Sequence, residues 1–216
     1  MVTVAFGARD QSFEKDGQLV KQPAGLAHSL AHKLFAQPGY DAFSRLRELG
    51  AHANAFTTQT RARYFLTAPA NEYEALTGWL TFTQEPYFEA ESVAREQDII
   101  SQEVDMYQDD TNARLYRLIL GQLFKDDPMD DDIAGTTESV HSVTPEDLQL
   151  AFDAFYRPDH MDVVIAGAFD ETTVRDLINA SPAGQRPAVA PVSLPTHELQ
   201  PGSDDILEVE MDVVRP

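Results

Sequence analysis

Pro23-Ala24-Gly25 opens a stretch of about 12 residues in which Leu26, Leu30, Leu34 and Phe35 fall on one helical face. His28 and His32 ride on the same stretch, four residues apart. Side chains at that spacing stand one above the other on a helix, about 5–6 Å apart, so both imidazoles can reach a single metal ion. The helix therefore has two tasks. It buries an aliphatic stripe and presents two nitrogens at the border of that stripe. By itself the pairing is weak, because two partly exposed histidines on an ordinary helix give the same pattern.

The rest of the chain alternates short strands with amphipathic helices. Residues 2–6 read as a strand, 7–22 as a polar loop, and 42–49 as a helix stopped by Gly50. The β-branched and aromatic residues between Ala51 and Thr67 predict two strands, the second over 63–67. Helices are expected over 70–84 and from 89 to 107 or beyond, continuing through 114–124, ahead of a solvated acidic loop. Thr144-Pro145-Glu146-Asp147 is a helix start: a capping hydroxyl, a proline at the first helical position, and acids in the first turn. A strand over 161–166 and a helix over 172–180 follow. This is an α+β pattern, with a metal-site-bearing domain over 1–180, a proline-rich linker over 181–203, and a terminal strand within 204–216 that could begin a second half.

Composition narrows the chemistry. There is no cysteine, so disulfides and thiolate ligands are excluded and any metal must be held by His, Asp or Glu. A formal charge of −20 argues against nucleic acid as a partner and predicts a solvated acidic surface. No run approaches the roughly 20 apolar residues that span a bilayer, and no leader peptide is visible at the start. A cytoplasmic location fits these features.

Four blocks in order carry a family resemblance. They are Gly25-Leu26-Ala27-His28-Ser29-Leu30-Ala31-His32-Lys33-Leu34-Phe35, then Gly50-Ala51-His52-Ala53-Asn54-Ala55-Phe56-Thr57 with Tyr64 beyond it. The third is Arg95-Glu96-Gln97-Asp98-Ile99-Ile100-Ser101-Gln102-Glu103, and the fourth runs from Ile133 through Val140 to Pro158 and Met161. Together they resemble the pitrilysin/insulinase family of zinc peptidases, whose signature is H-x-x-E-H, in its bacterial processing-protease-like branch. The likeness spans about residues 2–170.

The resemblance implies a two-layer α/β sandwich in which helices pack a mixed, mostly antiparallel sheet. It implies His28, His32 and Glu103 as ligands of Zn²⁺, with Glu96 orienting the site from two helical turns before Glu103. Ala53, Asn54, Ala55 and Phe56 match the family's edge strand, where a peptide substrate docks as an added strand. Partners implied are a peptide and a second family-type domain or subunit, in a homo- or heterodimer.

Two substitutions depart from the pattern. Ala31 stands where the signature has the glutamate that deprotonates water, a loss worth about 10²–10⁴ in rate. Ser29 replaces a bulky aromatic, which should loosen packing around the helix. A catalytically impaired zinc peptidase domain is the expectation, and a non-catalytic peptide-binding or partner subunit is the alternative. His52 is expected to be structural, and His141, His160 and His197 to lie apart from the site.

Overall fold

The computed structural model describes residues 1–186, 192–196 and 206–209. Its centre is a four-stranded antiparallel sheet built from β1 (Val2–Val4), β6 (His52–Thr57), β7 (Ala62–Thr67) and β8 (Met161–Val163), in the order β6-β7-β1-β8. Register places Val2 opposite Tyr64 and Val4 opposite Ala62, so these four side chains share one face. All four are buried, and helices pack over them. The expected α+β architecture of antiparallel strands packed by helices is what forms, and every described strand pairing is antiparallel.

Helix α1 (Leu26–Phe35) is the element closest to the heart of the core. Leu30 and Leu34 are fully buried on its inner face, each contributing about 1.5–3 kcal/mol relative to an exposed side chain. Gly25 starts the helix in the left-handed region at φ 84°. A β-carbon there would stand 2.2 Å from the Ala134 carbonyl oxygen, so glycine is required on both counts. Around α1 the core is aromatic: Phe6 stacks on Phe155 at 4.2 Å, and Phe35 on Phe43 at 3.8 Å. The buried Tyr64 and Tyr156 hydroxyls share a hydrogen bond of 2.6 Å.

Several local expectations are corrected. The stretch read as a loop over 7–22 contains a hairpin, β2 (Ser12–Lys15) and β3 (Gln18–Lys21). Its turn is Asp16-Gly17, both at positive φ, the pairing that two-residue hairpins favour. A second, minimal hairpin joins β4 (Ala36–Gln37) to β5 (Tyr40–Asp41) between α1 and α2 (Ala42–Glu48). Asp41 caps α2 through Phe43 and Ser44, and Gly50 follows its end at φ 78°.

Helix α3 spans Glu72–Phe82 and α4 spans Ala90–Asp109. Helix α4 continues past Tyr107 as expected, but its run into 114–124 is broken at Asp110, which is extended (φ −82°, ψ 118°) and caps a separate helix α5 (Thr111–Leu123). Helix α6 (Thr137–Ser142) was not expected; Thr136 and Ser139 form a reciprocal capping box there. Helix α7 (Pro145–Phe155) starts at the Thr144 cap as expected. Strand β8 stops at Val163, short of residue 166, and α8 covers Glu171–Ala180.

Within the stretch expected as a linker, α9 (Pro182–Gln185) is helical and Ser193 bridges to Glu14. Most of the remaining linker and of the terminal strand, with His197, lies outside the described residues. Residues 206–209 carry no strand.

Candidate metal centre

Helices α1 and α4 bring the candidate ligands together. Nε2 of His28 and Nε2 of His32 each lie 3.5 Å from Oε2 of Glu103, and the two imidazole centroids are 4.5 Å apart. One donor atom from each of the three residues falls within 4.8 Å of the others. Among the described residues this is the one cluster of three His or acidic side chains arranged to hold a metal ion. Two ligands at Zn²⁺ bond lengths of 2.0–2.2 Å and tetrahedral angles stand about 3.4 Å apart, close to both His–Glu separations.

The donor set also has the chemistry that a metal ion requires. Nε2 of His28 is buried, and the polar atom it faces is Oε2 of Glu103 at 3.5 Å. A contact that long satisfies a buried nitrogen poorly, and a cation between the two groups would satisfy both. The neighbouring His28 imidazole holds the Glu103 carboxyl below the usual carboxylate range, with burial opposing. Glu103 is therefore kept anionic, as a cation ligand must be. Two imidazole nitrogens and one carboxylate fit a zinc ion of the hydrolytic kind, which takes three protein ligands.

Glu96, expected to orient the site, sits with Oε1 3.0 Å from Nδ1 of His32, on the opposite side of the ring from Glu103. A carboxylate in that position makes Nδ1 the protonated nitrogen and leaves the Nε2 lone pair aimed at the cluster. Ala31, by contrast, offers nothing. It is 3% exposed and lines a cleft of about 390 Å³ with His28, His32, Phe35, Phe43 and Asn54. Ser29 is also buried, and its hydroxyl has no hydrogen-bond partner.

Of the expected edge-strand residues, Asn54, Ala55 and Phe56 line that cleft, while Ala53 lines neither it nor its neighbour. Strand β6 pairs with β7 on one side only among the described residues. The Ala55 N–H donates to Oδ1 of Asn54 at 2.8 Å, and Phe56 is 44% exposed. A second cleft opens on the other side of the histidine pair, bounded by Glu103, Tyr107, Tyr116, Arg117 and Leu120. Ala55, Phe56 and Thr57 border both clefts.

The wall formed by Tyr107 and α5 was not anticipated. Tyr116 and Leu120 sit four apart on α5, a spacing that predicts a helix but not what the helix faces. Lys33 is a second residue that no motif marks. The residue is 1% exposed, its ammonium is bonded to Ser92 Oγ at 2.5 Å, and burial lowers its pKa while the Glu96 charge opposes that. A charge between the apolar residues of a core-facing stripe was the available signal. His52 is exposed on β6, His141 contacts Ser101, and His160 lies near the Phe155 ring; none approaches the cluster.

Comparison with known proteins places this geometry in a family. The profile described as "Insulinase (Peptidase family M16)" matches residues 19–137, and that of the "Peptidase M16 inactive domain" matches 142–210. The Uncharacterized zinc protease YmfH of Bacillus subtilis is 37% identical over 174 residues, which is 80% of this chain and 41% of that protein. A mitochondrial-processing peptidase subunit beta of Arabidopsis thaliana is 28% identical over 149 residues, 67% of this chain and 28% of that one. The crystal structure of an M16-like peptidase from Alicyclobacillus acidocaldarius superposes with a TM-score of 0.83 at 34% identity, over 89% of this chain and 45% of that chain. The chain thus spans less than half the length of each of these relatives. On the match over residues 19–137, which takes in both histidines, Glu96 and Glu103, the chain belongs to the insulinase family, Peptidase family M16.

Proposed function

We propose that this chain is a zinc-holding, peptide-binding M16 domain whose hydrolytic step is impaired. His28, His32 and Glu103 would hold the ion, and Glu96 would fix the His32 ring. When bound, zinc would polarise a peptide carbonyl and lower the pKa of a water molecule. The carrying observation is the convergence of Nε2 of His28 and Nε2 of His32 on Oε2 of Glu103, each at 3.5 Å. The relatives named zinc proteases support the choice of zinc.

The peptide would lie along the open edge of β6, crossing from one cleft to the other over Ala55, Phe56 and Thr57. Main-chain hydrogen bonds supply affinity in such strand addition, and the flanking clefts supply selectivity. An incoming strand must displace the Asn54 side chain from the Ala55 N–H. The methyl of Ala31 leaves no group there to take a proton from water, which is why turnover is proposed to be weak.

Ala31 also favours a second reading, in which the domain holds peptides for a partner that performs the cleavage. A chain covering 41% of its Bacillus subtilis relative leaves room for a second M16-type domain or subunit, in a homo- or heterodimer. Neither reading needs a bilayer, and no described helix is long and apolar enough to cross one.

Metal analysis of the purified chain and of His28→Ala and Glu103→Ala tests the assignment. About one zinc per chain is expected in the parent and a large loss in both variants. Equal metal content in all three would remove the ligand set from consideration.

A further inference from the structure

Helices α1 and α4 run antiparallel and are joined by three polar rungs. His28 meets Glu103 at 3.5 Å, His32 meets Glu96 at 3.0 Å, and Lys33 meets Ser92 at 2.5 Å. The first two rungs belong to the cluster already described. The third does not touch it, and it is the most enclosed: Lys33 is 1% exposed and Ser92 6%. The Lys33 ammonium otherwise lies 5.8 Å from the centre of the Tyr87 ring.

A buried ammonium is an expensive way to fill space. Replacing a buried charge by an apolar side chain of similar volume is often neutral or stabilising. What a lysine–serine hydrogen bond adds over methionine is a limit on distance: with its stem buried, the ammonium reaches Ser92 over a restricted range of axial offsets between the helices. Sliding one helix by a single residue moves every side chain about 1.5 Å along its axis. That shift is most of a zinc–ligand bond length of 2.0–2.2 Å, so coordination tolerates little of it. Ser92 also lies one turn before Glu96 on α4, so the rung locks the turn next to the carboxylate that orients His32.

We infer that Lys33 is a positioning residue: through Ser92 it sets the register of α4 against α1, and thereby the distance of Glu96 and Glu103 from the two histidines. The inference rests on the reading of that cluster as a zinc site.

The test uses the full chain with Lys33→Met and Ser92→Ala. Zinc affinity is measured by competition with a chromogenic chelator, coordination by the visible absorption of the Co²⁺ form, and stability by the Tm of the metal-free protein. Lys33→Met should bind zinc about 10–100-fold more weakly, the range typical when a residue that orients ligands is lost. Its Co²⁺ bands should shift or weaken, while its metal-free Tm stays level or rises. Ser92→Ala should lose zinc affinity to a similar degree and also lower the Tm, since it leaves the ammonium unpaired.

Parent-like affinity and spectrum in Lys33→Met, whatever its Tm, would overturn the inference and leave Lys33 a packing residue. If Lys33→Met does not fold, unchanged affinity in Ser92→Ala does the same. Failure of the parent chain itself to bind zinc or Co²⁺ overturns the zinc reading first, and the register argument with it.

Discussion

Nδ1 of His32 faces Oε1 of Glu96 at 3.0 Å, while Nε2 of the same ring faces Oε2 of Glu103 at 3.5 Å. One imidazole is thus held between two carboxylates of α4 that lie seven residues apart in sequence. The proposed division of labour is that Glu96 fixes the ring and Glu103 shares the ion with it.

Glu96→Ala is therefore expected to weaken zinc binding about 10–100-fold while leaving a site that still binds. Competition titration with a chelator measures this directly. A variant as tight as the parent would make Glu96 an ordinary helical acid.

Ala31→Glu restores the carboxylate that the family signature places beside His32. Hydrolysis of an unstructured peptide by the zinc-supplemented protein should rise about 10²–10⁴-fold. Zinc bound with no gain in rate would mean that the missing base is not what limits this chain.

Tyr156→Phe removes one partner of the buried hydroxyl pair and strands the other, at a cost of about 1–3 kcal/mol. Replacing Tyr64 and Tyr156 together by Phe should cost less than the single change. Urea denaturation of Tyr64→Phe, Tyr156→Phe and the double variant decides between a coupled pair and two independent hydroxyls.

Asp159 gives a pH test away from the metal cluster. The Arg157 guanidinium, which donates to it from Nε at 3.0 Å, holds its carboxyl below the usual aspartate range. A depressed folded-state pKa contributes stability that is complete above the ordinary value of 3.8 and fades as pH falls through the lower folded value. The Tm difference between parent and Asp159→Asn should hold from pH 6 to about 4 and narrow below that. A gap that does not change with pH would make the contact irrelevant to acid stability.

Much of this was legible in the sequence, for identifiable reasons. Helix α1 announces itself through Leu26, Leu30 and Leu34, and α7 through the Thr144 cap. Period and capping are local, so a single chain displays them. The candidate ligands divide differently. His28 and His32 can be paired by spacing, but Glu103 is one of 36 acidic residues, and only the family resemblance singles it out. Its approach to the histidines depends on how two helices pack, which no local pattern encodes. The β2–β3 hairpin escaped because its strands alternate poorly, although Asp16-Gly17 marks its turn. The break at Asp110 escaped because apolar spacing resumes immediately in α5.

Strand β6 carries a further consequence. Protein chains usually guard a bare sheet margin with lysine, proline or a bulge, and Ala53-Asn54-Ala55-Phe56 has none of the first two. A margin that can take up a peptide's backbone, as proposed for β6, can equally accept another copy of itself. Selectivity for ligand over self must then come from whatever shields that margin in the assembled protein. Access for a peptide and protection from aggregation are set by the same few residues.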